Sequence, residues 1–150
     1  PSETAIDFLN NYFHKENVSL DLNLTYVEHW IKSSLFSLGH KQSDLTFIFC
    51  SDSYLKKINK DYLNHDYFTD VITFDYSNKE VIKGDIYISV ERVEDNATTY
   101  DVTFNEEIFR VIIHGVLHLC GFNDKSKDDQ IKMRNKEDFF IRLIDWESDS

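Results

Sequence analysis

The segment from Thr103 to Gly121 constrains the fold of this chain more than any other part of the sequence. Thr103 and Glu106 form a TxxE capping box, in which each side chain satisfies a backbone N–H at the start of a helix. At Gly121 the chain can end the helix in a left-handed turn. The sequence therefore predicts a central helix with both ends defined, whose apolar residues are Phe104, Ile108, Val111, Ile112, Val116 and Leu119.

Four further helices are predicted from apolar periodicity and capping residues. The first covers residues 27–38 and stops at Gly39, and the second follows caps at residues 51–53. A modest third helix spans residues 90–97 behind Ser89. The last is amphipathic, starts near Ser126, and includes Ile131, Phe139, Phe140, Leu143 and Ile144.

Three short β-branched or aromatic runs predict strands, at residues 45–50, 71–74 and 85–88. The last two are separated by the turn-like residues 77–80, so a hairpin is the simplest connection. Strands and helices do not alternate in a regular βαβ pattern. We therefore predict the α+β class, with a small mixed sheet packed against about five helices, of which the central one carries two histidines.

The composition predicts one domain over residues 1–150, because 41% hydrophobic residues are enough to fill one core without disulfides. Cys50 and Cys120 are in no CxxC arrangement and are predicted to be free thiols. No apolar run approaches the roughly 20 residues that cross a bilayer, and no basic and then apolar leader is apparent. We expect a cytoplasmic protein with no membrane partner.

The net charge of -11 is a poor match to a polyanionic partner. This counts against nonspecific nucleic-acid binding, and we expect no DNA partner. It leaves room for a local basic cleft, because binding responds to the potential within a Debye length of about 8–10 Å.

The segment HGVLHLCGFND, residues 114–124, carries the strongest chemical signal. His114 and His118 are one helical turn apart on the same side of the central helix, so both imidazoles can reach one ion. After the turn at Gly121, Asp124 can fold back as a third ligand. Two nitrogens, a carboxylate and an open position are typical of catalytic zinc. We predict one Zn²⁺ per chain, although the carboxylate also suits other divalent metals; the alternative is a pair of surface or half-buried histidines with no metal.

Gly115 weakens one interpretation of this motif. The spacing resembles that of the zinc peptidase motif HExxHxxGxxH, but Gly115 holds the position of the glutamate base. Glycine can neither accept nor donate the protons that peptide hydrolysis needs. A metallopeptidase is therefore a minor alternative.

The same segment resembles the HGxLHLxGxDH signature of the YbeY family. Six letters agree, while Asn123 stands where the family has Asp and Asp124 where it has the third His. The agreeing residues are His114, Gly115, Leu117, His118, Leu119 and Gly121.

Two further segments extend this resemblance from about residue 45 to 140. GDIYIS, residues 84–89, is similar to the family's GDIxIS strand. The family's NxxYRxxDxxTDVLSF region is matched at Asn59, Tyr62, Asp66, Thr69, Asp70, Val71 and Phe74. The resemblance implies a metal-dependent, single-strand-specific endoribonuclease that acts in ribosomal RNA maturation and ribosome quality control, with ribosomal RNA or the small ribosomal subunit as its partner.

Leu63 departs from this family pattern, because it occupies the slot of an arginine expected to hold a phosphate. We consider Lys60, His65 and Arg92 as substitute cations and Asp85 as a residue that orients a ligand or binds substrate. Each could instead be an ordinary solvated or turn-forming residue. No protein base is assigned, because an ion can activate its own water.

The departures leave alternative functions open. A non-catalytic ribosome assembly factor with a metal site would tolerate Leu63 and the acidic charge. A non-haem iron oxygenase would use the same two histidines and one carboxylate. Metal content and RNA cleavage separate these hypotheses.

Overall fold

The computed structural model describes residues 6–8, 11–15, 22–65 and 69–146. The helices are α1 (Leu24–Ser37), α2 (Asp52–Leu63), α3 (Val90–Tyr100), α4 (Phe104–Leu119) and α5 (Lys127–Arg142). The strands are β1 (Ile6–Phe8), β2 (Asn11–Lys15), β3 (Ser43–Cys50), β4 (Val71–Asp75) and β5 (Ile82–Ser89). All five predicted helices and all three predicted strands are confirmed, and the class is α+β.

The sheet is mixed, with strand order β1-β2-β3-β5-β4. Its central pairs β2·β3 and β3·β5 are parallel, while β1·β2 and β4·β5 at the two edges are antiparallel. The last of these is the hairpin expected from the sequence. The sequence reasoning did not predict β1 and β2, because the first 22 residues show no clear periodicity.

Helix α4 is the centre of the fold, as predicted. It lies against α1, α3, α5, β4 and β5. The large core on this side of the sheet includes Phe47, Phe49, Ile86 and Ile88 from the strands. Because successive strand residues point to opposite faces, Tyr87 lies on the other face, in the smaller cluster covered by α2.

Two glycines allow α4 and the strands to approach closely. A Cβ on Gly115 would lie 2.9 Å from Cγ2 of Ile86 on β5. A Cβ on Gly84 would collide with the backbone oxygen of Phe74 and lie 3.0 Å from both terminal methyl groups of Leu119. The histidine-bearing helix is therefore fixed directly above the sheet.

Helix α5 packs differently from the predicted apolar face. Phe140 near the end of the helix and Ile144 just after it are buried, as expected, but Ile131, Phe139 and Leu143 are 52%, 47% and 61% exposed. The inward face instead carries Met133, Glu137 and Ile141. A buried glutamate among these residues points toward α4.

Cys50 and Cys120 are both thiols and are not joined in a disulfide, as predicted. Among the helices in the described part of the chain, none has the length and apolar character required to cross a membrane.

Candidate metal centre

The three residues predicted as metal ligands lie together. Nε2 of His114 is 3.1 Å from Nε2 of His118. Oδ2 of Asp124 is 3.4 Å from Nε2 of His114 and 3.6 Å from Nε2 of His118. Within the described residues, these three side chains form the one group of histidine, cysteine or acidic residues with metal-binding spacing.

The spacing of the three ligand atoms fits a tetrahedral ion. With metal–ligand bonds of about 2.0–2.2 Å, the corners of a tetrahedron are about 3.3–3.6 Å apart. The observed separations of 3.1, 3.4 and 3.6 Å lie at or close to that range. Two imidazole nitrogens and a carboxylate oxygen also match the donor set that zinc accepts in catalytic sites. The residues present therefore fit a divalent ion.

The turn after α4 places Asp124 beside the histidines. Gly121 has a φ of +98°, a conformation that residues with a Cβ rarely adopt. The N–H of Phe122 then donates to the carbonyl of Leu117 over 3.1 Å and closes the helix end. Nε2 of Gln130 on α5 donates to the Asp124 carbonyl over 3.0 Å. The predicted glycine turn is therefore held in place by a hydrogen bond from α5.

Glu137 on α5 orients the first histidine. Nδ1 of His114 donates to Oε2 of Glu137 over 2.6 Å, which leaves Nε2 of the neutral ring free to bind a metal. Glu137 is only 4% exposed. Its other oxygen accepts a hydrogen bond of 3.0 Å from Arg110, which also donates to Asp138 over 2.8 Å. The sequence reasoning missed Glu137, although an acidic residue between the apolar positions of Met133 and Ile141 was a detectable signal.

The two histidines have opposite pKa shifts. Burial alone would lower the pKa of His114, but the hydrogen bond and charge of Glu137, together with Asp124 and Asp70, outweigh it and raise the pKa. For His118, burial and the neighbouring His114 lower the pKa despite Asp124. His114 therefore holds a proton more readily than an ordinary histidine, and His118 holds one less readily.

A cavity of about 320 Å³ opens beside the centre and includes His114 and Asp124 in its lining. Asp70 and Glu107 also line it, and both carboxyls have raised pKa values because they are buried. Nδ2 of Asn96 donates to Oδ2 of Asp70 over 3.2 Å. The cavity therefore offers a substrate additional acidic groups that are not part of the ligand triad.

The other predicted site residues lie elsewhere. Arg92 pairs with Asp52 over 2.7 Å, and Lys60 and His65 are exposed at the end of α2. Asp85 alternates with Gly84 and Ile86 along β5, so its side chain lies on the sheet face opposite α4. None of the four is among the described residues that line the cavity. Asp66 of the second motif lies outside the described residues.

The packing of Gly115 bears on the peptidase alternative. Since even a Cβ at this position would crowd Ile86, the glutamate of a zinc peptidase has no room there. The structure thus agrees with the sequence argument that a glutamate base is absent from position 115.

The fold and site together define an α+β protein with a candidate metal centre of two histidines and one aspartate beside an open cleft. Residues 8–145 match the family model described as Endoribonuclease YbeY. The chain therefore belongs to the YbeY family, as its three motifs indicated.

Curated relatives and a solved structure agree with this assignment. A protein of Flavobacterium psychrophilum named Endoribonuclease YbeY is 52% identical over 116 residues, which cover 77% of this chain and 83% of the relative. Its namesake from Flavobacterium johnsoniae is 47% identical over 134 residues, or 89% of this chain and 96% of the relative. The solution structure of TM1509 from Thermotoga maritima matches with a TM-score of 0.57 and 31% identity, covering 79% of this chain and 76% of that one. The relatives are nucleases by name, and therefore hydrolases, the enzyme class predicted here.

Proposed function

We propose that this protein is a zinc-dependent, single-strand-specific endoribonuclease acting in ribosomal RNA maturation and ribosome quality control. The observation that carries the proposal is the placement of His114, His118 and Asp124, whose ligand atoms lie 3.1–3.6 Å apart at the edge of a cleft. The names of the relatives supply the reaction class.

The residues at this centre have different roles in binding and orienting a metal ion. His114, His118 and Asp124 would hold the ion, and Glu137 would keep the Nδ1 proton on His114 so that its Nε2 faces the ion. When bound, zinc would supply Lewis acidity, which lowers the pKa of its water and polarises a phosphoryl oxygen. Asp124 reduces the positive charge of the site relative to a third histidine, so we expect a weaker Lewis acid than a site with three neutral ligands.

Cleavage of single-stranded RNA by the metal-loaded protein tests the proposal. We expect His114→Ala to abolish cleavage while circular dichroism shows a retained fold. His29→Ala is the matched control, because it removes an exposed histidine on α1, outside the site. Elemental analysis of protein purified under anaerobic conditions should find zinc. Unchanged cleavage by His114→Ala would refute the proposal, and iron in place of zinc would favour the oxygenase alternative.

A non-catalytic ribosome assembly factor is the second candidate. The exposed position of Leu63 at the end of α2 favours it, since the arginine expected there is missing. This candidate predicts co-sedimentation with ribosomes and no RNA turnover. Robust cleavage by the metal-loaded wild type would remove it.

A further inference from the structure

Of the three exposed side chains that line the cavity beside the metal centre, Gln130 donates a hydrogen bond to the carbonyl of Asp124, and the other two come from separate helices. Tyr100 comes from the last turn of α3, and Arg134 comes from the middle of α5. Both line the cavity that His114 and Asp124 also line. A single RNA strand that reaches the metal centre through this cavity would therefore pass an aromatic ring and a guanidinium.

Arg134 is the available cation at this cavity. Its side chain is 63% exposed, and Nη1 lies 3.9 Å from Oε1 of Glu137, which is a loose ion pair. Arg110 is only 16% exposed and is held by hydrogen bonds to Glu137 and Asp138. Among the described residues that line the cavity, these are the two arginines, and no lysine is present. A phosphate entering this acidic cavity would therefore meet Arg134 as its accessible positive partner.

Tyr100 presents an aromatic surface at the same cavity. It is 62% exposed although it is a large side chain with apolar character. Asp101 follows it in the left-handed conformation with a φ of +57°, and the N–H of Val102 donates to the carbonyl of Ala97 over 3.0 Å. This helix end fixes the backbone that carries the ring. An aromatic ring held at a cleft can stack on any base that is not paired in a duplex.

We propose that Tyr100 and Arg134 bind one nucleotide of the substrate strand, with the guanidinium on its phosphate and the phenol ring against its base. This inference rests on the proposed RNA substrate. Stacking requires an unpaired base, so this subsite gives a physical reason for preferring single strands. The phosphate contact gives the acidic protein local charge complementarity that its net charge of -11 does not provide.

Binding of a short single-stranded probe tests the two contacts separately. Fluorescence anisotropy would follow an eight-nucleotide 2′-O-methyl RNA at several salt concentrations, with a gel confirming that the probe stays intact. We expect Arg134→Ala to weaken binding about tenfold and to lower the slope of log K against log salt by about 0.7. Tyr100→Ala should weaken binding about tenfold with no change in slope, and Tyr100→Phe should retain affinity.

Two matched variants control for general effects. Arg142→Ala removes an exposed arginine from the same helix α5, and Tyr76→Ala removes a tyrosine that is 56% exposed; neither lines the cavity. Both should bind the probe as the wild type does. If Arg134→Ala and Tyr100→Ala match their controls while the wild type binds and cleaves RNA, the nucleotide subsite is overturned and the proposed function stands. If the wild type neither binds nor cleaves RNA, both proposals are overturned.

Discussion

Oε2 of Glu137 lies 2.6 Å from Nδ1 of His114 and connects α5 to the histidine-bearing helix α4. The same carboxylate accepts a hydrogen bond from Arg110, so its charge is shared between a guanidinium and an imidazole. A buried carboxylate in this position holds the ring orientation that a metal ligand requires. The metal centre therefore depends on a helix that contributes none of the ligands itself.

Replacing this carboxylate should weaken metal binding without removing a ligand. We expect Glu137→Gln to lower zinc affinity roughly 10- to 100-fold, because an amide no longer provides the charge that fixes the Nδ1 proton. Competition with a chromophoric chelator measures the affinity. Asp138→Asn is the control, since it removes the negative charge of the other partner of Arg110 and leaves the bond between Glu137 and His114 intact. Equal affinities of the two variants would contradict this role of Glu137.

Replacing the third ligand, Asp124, should lower zinc affinity more than replacing Glu137 does. We expect Asp124→Ala to lose more zinc affinity than the roughly 10- to 100-fold that an outer partner costs. Asp124→His should retain the metal, because imidazole is also a zinc ligand, and should make the site more positive. Asn123→Ala, in the same turn, is the control, and elemental analysis after dialysis measures retention. Full retention by Asp124→Ala would show that the carboxylate does not bind the ion.

Substitution by alanine should destabilise the protein to different extents at the two closely packed glycines and at an unpacked one. We expect Gly115→Ala to destabilise the protein by about 1–3 kcal/mol and Gly84→Ala by more, because a backbone oxygen cannot move aside as easily as the side chain of Ile86. Gly39→Ala should cost about 1–2 kcal/mol from its φ of +91° alone, since nothing lies within 4 Å of a Cβ there. Urea unfolding measures all three. A cost for Gly84→Ala below that of Gly39→Ala would contradict the close packing of β4, β5 and α4.

The phenol of Tyr87 should lose its proton at a higher pH than an ordinary tyrosine does. Burial, with the negative charge of Asp85 as the next cause, raises the pKa of Tyr87 from 10.0 to about 12. The folded state thus favours the neutral phenol, so stability present below pH 10 is lost as the pH rises toward 12. We expect Tyr87→Phe to lose less stability than the wild type over this range, as measured by urea unfolding at each pH. Tyr100→Phe is the control and should behave as the wild type does, because it removes an exposed phenol on α3 that is not among the groups that raise the pKa of Tyr87.

The histidine pair and the helix that carries it could be predicted because their signals are local. Thr103 accepts from the N–H of Glu106 over 3.1 Å, as the capping box requires, and Gly121 adopts the left-handed turn. The spacing of His114 and His118 places both rings on one side of any α-helix, whatever surrounds it. The prediction that Asp124 is the third ligand needed only one more assumption, namely that the turn at Gly121 brings the chain back toward the histidines.

The sequence by itself determined the five helices, the β4–β5 hairpin, and the pair of imidazoles one turn apart, because capping and periodicity act within a few residues. Tertiary structure decided that Glu137 supports His114, that Arg134 and Tyr100 both line the cavity, and that the side chain of Asp85 lies on the sheet face opposite α4. These relationships join residues far apart in the chain, and they follow from how α3, α5 and the sheet pack around α4. Packing of this kind depends on the whole core, so the sequence shows an acidic residue on the apolar face at Glu137 but not that its partner is His114.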